Sequence, residues 1–186
     1  MTDLYLVRHG ETEWSRNGRH TSITDLDLTE NGREQAESLR PRLNPDDFGL
    51  VLSSPRKRAL RTAELAGFPD PVIDDDLAEW YYGQFEGLSS VEIRAQVPSW
   101  RIWTSHIPGG EQSDEVVERL SRVVNRVRFS GVERAIVFGH GHALRVLALT
   151  WVGVSIAHGG AFPLKTGSLS VLGYEKESSA ILQWNL

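Results

Sequence analysis

The sequence predicts an α/β fold: a three-layer α/β/α sandwich whose sheet is mostly parallel with an antiparallel edge. Three continuous apolar runs, residues 4–7, 50–52 and 135–138, carry the first part of that expectation. Runs of this kind suit strands buried on both faces, and each ends in a polar turn before a helical pattern begins. The antiparallel edge follows from two strand-like runs near the carboxyl end, 168–174 and 180–186, joined by a charged turn. At 186 residues, without repeats or low-complexity linkers, the chain reads as one domain, 1–186, long enough to bury a core.

The helices can be placed in order. After the first strand an irregular stretch, 12–28, leads to a helix starting near Thr29, with Ala36 and Leu39 on one face and an interruption at Pro41. Ser54-Pro55 reads as an N-cap followed by a first-turn proline. The helix it opens has Ala59, Leu60, Ala63 and Ala66 as its apolar face and ends at Gly67. Gly87-Leu88-Ser89-Ser90 starts another helix. Ser113 reads as the N-cap of a longer one, with Val116, Val117, Leu120, Val123, Val124 and Val127 at helical spacing. The helix after His142 is apolar nearly all round and is therefore expected to be buried.

Composition narrows the chemistry. A net charge of −5 argues against nucleic acid or an anionic membrane as partner, so any phosphate pocket must be a local concentration of positive charge. The absence of cysteine excludes a cysteine phosphatase, a disulfide framework and thiolate zinc sites. No long apolar run suggests a signal peptide or membrane span, so the cytoplasm is the default expectation. Oligomeric state is not legible here.

The first strand delivers Arg8-His9-Gly10-Glu11-Thr12 to its carboxyl end, the edge of an open α/β sheet at which ligands bind. An imidazole can be a nucleophile, and a guanidinium beside it holds phosphate through a planar fork of N–H donors. A lone Arg-His pair is usually a surface feature. Two further strand ends, however, deliver Ser53-Ser54-Pro55-Arg56 and Gly139-His140-Gly141-His142. Three deliveries to one edge point to phosphoryl chemistry on histidine.

On these residues the chain resembles the histidine phosphatase superfamily, which includes the cofactor-dependent phosphoglycerate mutases and many small phosphatases. Arg8-His9-Gly10 is similar to its amino-terminal motif, Arg56 to its second arginine, residues 77–87 to its acid-bearing segment, and Gly139-His140-Gly141 to its second histidine motif. The resemblance implies a phosphoglycerate mutase-like fold, with His9 as nucleophile and Arg8, Arg56 and His140 as a phosphate clamp. It makes Glu79 the general acid and the later Glu86 structural. Burial beside Trp80 is expected to keep a proton on Glu79. The ordinary alternative is a loop glutamate in a solvated patch with Asp74, Asp75 and Asp76.

Departures from the family pattern bear on the substrate. Ser15 stands after Glu13-Trp14 where the mutases usually carry asparagine. Thr12-Glu13-Trp14-Ser15, Thr24-Asp25, Glu79-Trp80 and His140-Gly141-His142-Ala143-Leu144-Arg145 resemble the sedoheptulose-bisphosphatase-like and bacterial acid phosphatase branches, which hydrolyse. The cover segment, 90–110, is short, and a mutase must exclude water during transfer. Trp100, Ile102, Trp103 and Ile107 are read as either a small lid or core, while Ser15, Thr21 and Gly141, with Arg19 and His20, are candidate substrate contacts.

His140 and His142, with His9 and His20, imitate a metal cluster, but no carboxylate sits at a ligand spacing and the arginines would repel a cation. The expectation is therefore a phosphoric monoester hydrolase without metal or cofactor, acting on a small phosphorylated metabolite such as a sugar phosphate through a His9 phosphohistidine. The alternatives are a phosphoglycerate mutase and a non-catalytic phospho-ligand or phosphoprotein-binding module. Binding alone would not require an acid beside the nucleophile.

Overall fold

The computed structural model describes residues 1–186. Its sheet contains β1 (Asp3–Arg8), β2 (Leu50–Ser53), β3 (Val72–Ile73), β4 (Arg134–Gly139), β5 (Leu169–Glu175) and β6 (Ser178–Gln183), in the order β3-β2-β4-β1-β5-β6. The pairs β1–β4, β2–β4 and β2–β3 are parallel, while β1–β5 and β5–β6 are antiparallel. The mostly parallel sheet with its antiparallel edge is the predicted one. The two-residue β3 is exposed at the sheet margin and carries no periodic signal.

Alternation along the central strands builds the two core layers. Leu4, Leu6, Ala135 and Val137 face the larger core with α5 (Ser113–Arg128) and α6 (Gly141–Val152). Val7, Ile136 and Phe138 face the smaller core with Leu39 and with Ala63 and Ala66 at the end of α3 (Lys57–Leu65). On that same side α2 (Glu30–Glu37) packs against α3. Two shorter helices, α1 (Glu13–Arg16) and α4 (Ser90–Gln96), complete the helical set. Trp100, Ile102, Trp103 and Ile107 are buried members of the larger core.

Local signals set most helix ends. Thr29 caps α2 by accepting from the Gly32 N–H, and Ser89 with Glu92 forms a capping box at α4. Two expected caps move. Gln112, not Ser113, caps α5: its backbone N–H donates to the Glu115 carboxylate at 2.7 Å, while its side chain is bonded to the backbone of Ile107 and Gly110. Arg56, not Ser54, is the N-cap of α3, and it caps without a side-chain bond. Ser54 is diverted because its hydroxyl meets the His140 ring at 2.7 Å.

The register sets the functional edge. Arg8 lies opposite Gly139 across β1–β4, and Ser53 opposite Phe138 across β2–β4, so three adjacent strands end nearly level. His9, Ser54 and His140 therefore leave the sheet side by side, with the His9 N–H donating to Gly139 O at 3.0 Å. The chain turns away from His9 only because two backbones nearly touch: a Cβ on Gly10 would lie 2.1 Å from Gly32 O. Gly10→Ala must push α2 off the β1 end and should destabilise the fold by about 3 kcal/mol, the upper part of the overpacking range. Chemical denaturation measures this, and an unchanged midpoint would show that the contact is slack.

Candidate active site

A cavity of about 160 Å³ opens at the ends of β1 and β4. Arg8, His9, Ser15, Arg19, His20, Thr21, Glu79 and Gly141, all expected at the site, line it together with Thr12, Gly18, Tyr82, His142 and Arg145. His140 is fully buried behind this wall, its ring 5.2 Å from that of His9. Arg56 does not line the cavity. Its Nε is buried without a partner, and its charge acts on both His140 and Arg58.

The His9 ring is oriented by its own turn. Its Nδ1 lies 2.7 Å from Gly10 O, so Nδ1 carries the proton and donates, leaving the Nε2 lone pair free. Burial, followed by the charges of Arg58 and Arg8, holds its pKa well below the ordinary 6.5, and the imidazole is neutral. Arg8 donates through Nη1 to Leu164 O while its Nε has no protein partner. Gly141 lets Arg8 approach, because a Cβ there would sit 3.1 Å from the guanidinium carbon.

Arg58 is a buried cation at the candidate site that the strand-end motifs do not mark. Fully buried, it donates from Nε to His140 Nδ1 at 3.1 Å, from Nη1 to Thr24 O at 3.0 Å, and from Nη2 to Thr21 O at 3.1 Å and Ser22 O at 3.3 Å. His140 Nδ1 is thereby an acceptor, so its Nε2 carries the proton and donates to Ser54 Oγ. A signal was present: Arg58 shares the buried face of α3 with Ala59, Thr62 and Ala63. A cation inside an apolar stripe needs a buried partner.

Glu79 is buried, not part of a solvated patch; Asp74 and Asp76 are instead paired outward with Arg126 and Arg122. Its surroundings differ from the expected apolar pocket. Backbone N–H groups of Trp80 (2.9 Å), His142 (3.1 Å) and Ala143 (2.8 Å) donate to its two oxygens, and the Trp80 indole turns away to Glu111 O. Two of these donors are the opening N–H groups of α6, which have no partner within the helix. Glu86 accepts from the backbone of Ser22 and Thr24 and from the Ser22 hydroxyl, which fits a structural role.

The far wall is aromatic and imidazole-rich. Tyr82 Oη lies 2.6 Å from His142 Nδ1, and His142 stacks on His20 at 5.6 Å. Burial keeps His142 well below its ordinary pKa and brings His20 down to about 4. Arg145 lies over the Trp103 ring at 4.4 Å, and burial lowers its pKa to about 10. His20 and His142 also line a second cavity of about 450 Å³, bounded by Trp100, Trp103, Arg94 and Arg101. No group of three or more histidine, aspartate or glutamate side chains is placed to hold a metal ion.

A family model for the histidine phosphatase superfamily (branch 1) matches residues 4–186. An acid phosphatase of Mycobacterium tuberculosis is 41% identical over 92% of this chain and 86% of its own. Sedoheptulose 1,7-bisphosphatase of Saccharomyces cerevisiae is 37% identical over 81% of this chain and 68% of its own. A solved structure of an open reading frame product from Mycobacterium tuberculosis superposes with a TM-score of 0.94 at 37% identity, covering 100% of this chain and 97% of that one. Phosphoglycerate mutases are among the other relatives.

Arg58→Met would remove a positive charge beside both buried imidazoles. The pKa values of His9 and His140 should then rise toward 6.5, since Arg58 is the leading charge depressing each. Imidazole titration by NMR checks this, and unmoved curves would mean that burial alone sets their protonation.

Proposed function

Since the chain belongs to branch 1 of the histidine phosphatase superfamily, we propose that it is a metal-independent phosphomonoesterase acting on a small phosphorylated metabolite through a phosphohistidine on His9. The observation that carries this reading is the neutral His9 imidazole, its Nε2 free, on the wall of a cavity shared with Arg8 and Glu79. Nε2 attacks phosphorus, the bond to the leaving oxygen breaks, and the leaving oxygen takes a proton from Glu79. Water then attacks phosphorus, the N–P bond breaks and restores the free Nε2, and Glu79 takes the water proton and passes it to the departing phosphate.

The clamp is assigned by position. Arg8 meets the phosphoryl oxygens directly, through N–H groups not spent on Leu164. His140 turns its Nε2–H from Ser54 to the phosphate, while Arg58 holds its other nitrogen. Arg56 adds to the local positive field. Phosphoryl transfer asks for positioning and charge stabilisation more than covalent work, so buried guanidinium groups suit it.

The proton follows from the donors around Glu79. Three backbone N–H groups point at its two oxygens and leave one lone-pair direction through which Glu79 can take and pass on a proton. A phosphate monoester loses its second proton near pH ~6, and below that it binds as a monoanion whose proton Glu79 relays to the leaving oxygen. The second cavity gives the alcohol part room for several carbons and hydroxyls, in keeping with a sugar phosphate. That space, together with the short cover, favours water access and hydrolysis over the retained intermediate of a mutase. Ser15, Thr21 and Gly141, all in the lining of the first cavity, are assigned as substrate contacts.

The deciding experiment is a phosphate-release screen on phosphorylated metabolites with and without EDTA, run beside His9→Ala. The wild type should turn over at the same rate with chelator and form an acid-labile phosphoenzyme, while His9→Ala does neither. Retained activity in the variant, or loss restored by a divalent metal, would sink the mechanism.

For an alkyl phosphate, kcat/KM should fall about tenfold per pH unit above pH ~6, as the substrate monoanion disappears. It should show no acid limb at 6.5, since burial and the two arginines already keep His9 neutral there. A pH–rate profile rising through 6.5 would place a protonated His9 in the resting enzyme.

A further inference from the structure

Glu79 sits in a segment that neither sheet nor helix holds. A 3-10 turn, Asp75–Leu77, precedes it, and irregular chain follows as far as the next such turn, Gly83–Phe85. Without a ladder, the backbone groups of this stretch need partners from elsewhere. Two residues far along the chain supply them. Arg119, on the buried side of α5, donates from Nη1 to Asp76 O at 2.6 Å and to Ala78 O at 2.8 Å. Its remaining donors make a two-pronged pair with Glu111, Nε to Oε1 at 2.6 Å and Nη2 to Oε2 at 2.9 Å.

Glu111 completes the grip on the other side of Glu79. Its Oε2 accepts from the Tyr81 N–H at 2.9 Å, its backbone N–H donates to Tyr81 O at 2.9 Å, and its backbone carbonyl accepts the Trp80 indole N–H at 2.9 Å. Residues 76, 78, 80 and 81 are thus each tied to the Arg119–Glu111 pair, while the Glu79 carboxylate between them accepts from the start of α6. Neither Arg119 nor Glu111 lines the catalytic cavity. The pair is partly shielded from water, with side-chain exposures of 10% and 23%, so its geometry is better held than that of a free surface pair.

We propose that Arg119 and Glu111 are positioning residues for proton transfer: together they set where the Glu79 carboxylate stands relative to the leaving oxygen. The inference rests on Glu79 being the acid. Proton transfer requires heavy-atom separations of about 2.6–3.2 Å, and a displacement of about 1 Å can cost on the order of 10²-fold in rate. A guanidinium fork that satisfies two carbonyls and a carboxylate at once cannot be replaced by a lysine, whose single ammonium reaches only part of that set.

The test uses Arg119→Lys and Glu111→Gln, each compared with Glu79→Gln, in single-turnover phosphorylation by an alkyl and an aryl phosphate. Orthovanadate affinity reads the clamp separately, and thermal melts read folding. In a folded Arg119→Lys protein the alkyl phosphate should lose roughly 10–10²-fold and the aryl phosphate much less, because a phenolate leaves without a full proton transfer. Vanadate affinity should stay near wild type, and Arg119→Lys should add little in the Glu79→Gln background. Glu111→Gln should repeat the pattern, which keeps the test decisive if one variant folds poorly. Equal losses on both substrates, or losses that multiply in the double variant, overturn the positioning role while leaving Glu79 as the acid. If Glu79→Gln itself slows both substrates equally, the acid assignment fails, and the role of the pair fails with it.

Discussion

A guanidinium buried without a carboxylate partner organises this site. Removing Arg58 from water costs several kcal/mol even after relaxation. Hydrogen bonds involving a charged group return about 1.5–3 kcal/mol each, so only a full set of acceptors makes the burial tolerable. The acceptors come from separate parts of the chain: His140 at the start of α6, and the carbonyls of Thr21, Ser22 and Thr24 in the loop after α1. That loop is fixed in turn by Glu86, which takes the N–H groups of Ser22 and Thr24. Each piece has a reason to be where it is because Arg58 cannot be satisfied otherwise.

The same logic extends to the acid. Glu79 is reached from one side by the unpaired opening N–H groups of α6 and held from behind by the Arg119–Glu111 pair. Helix α6 begins where it does because β4 ends level with β1, and that register places His140 and the α6 N-terminus beside His9. Strand pairing thus acts on chemistry through one helix end. A shift of register by one residue would exchange inward and outward side chains along β4 and take His140 out of the site.

The sheet and most helices were legible because their signals are local. Continuous apolar runs, a serine or threonine followed by a glutamate, and glycine after a helix each act within a few residues. Arg8, His9, Glu79 and His140 were legible because they sit at strand ends or within motifs. Arg58 was not, since motif reading stopped at Arg56, the first cation after the strand; only its place on the apolar face of α3 marked it. Arg119 was hidden for a different reason. Its place three residues after Val116 and four before Val123 puts it at the edge of the apolar face, unlike the exposed Arg122, but its partners, Asp76, Ala78 and Glu111, are joined to it only by tertiary packing. The surroundings of Glu79 were misjudged because the donors are backbone groups, which side-chain reading does not see.

A nucleophilic imidazole and a cationic clamp make opposing demands, and the geometry reconciles them in time. Before substrate arrives, burial and the charges of Arg58 and Arg8 disfavour protonation of His9, which keeps the Nε2 lone pair available. Attack on phosphorus then leaves positive charge on the ring, the state those arginines oppose. By that stage the phosphoryl group has brought negative charge into the clamp, and the repulsion is offset where it would matter. The remaining demand, stabilising an imidazolium, falls to Gly10 O, which already accepts from Nδ1–H and binds more strongly as the ring becomes cationic. The close approach of Gly10 to Gly32 holds that carbonyl in place, so a packing constraint at the end of β1 becomes part of the means by which His9 can carry a phosphoryl group.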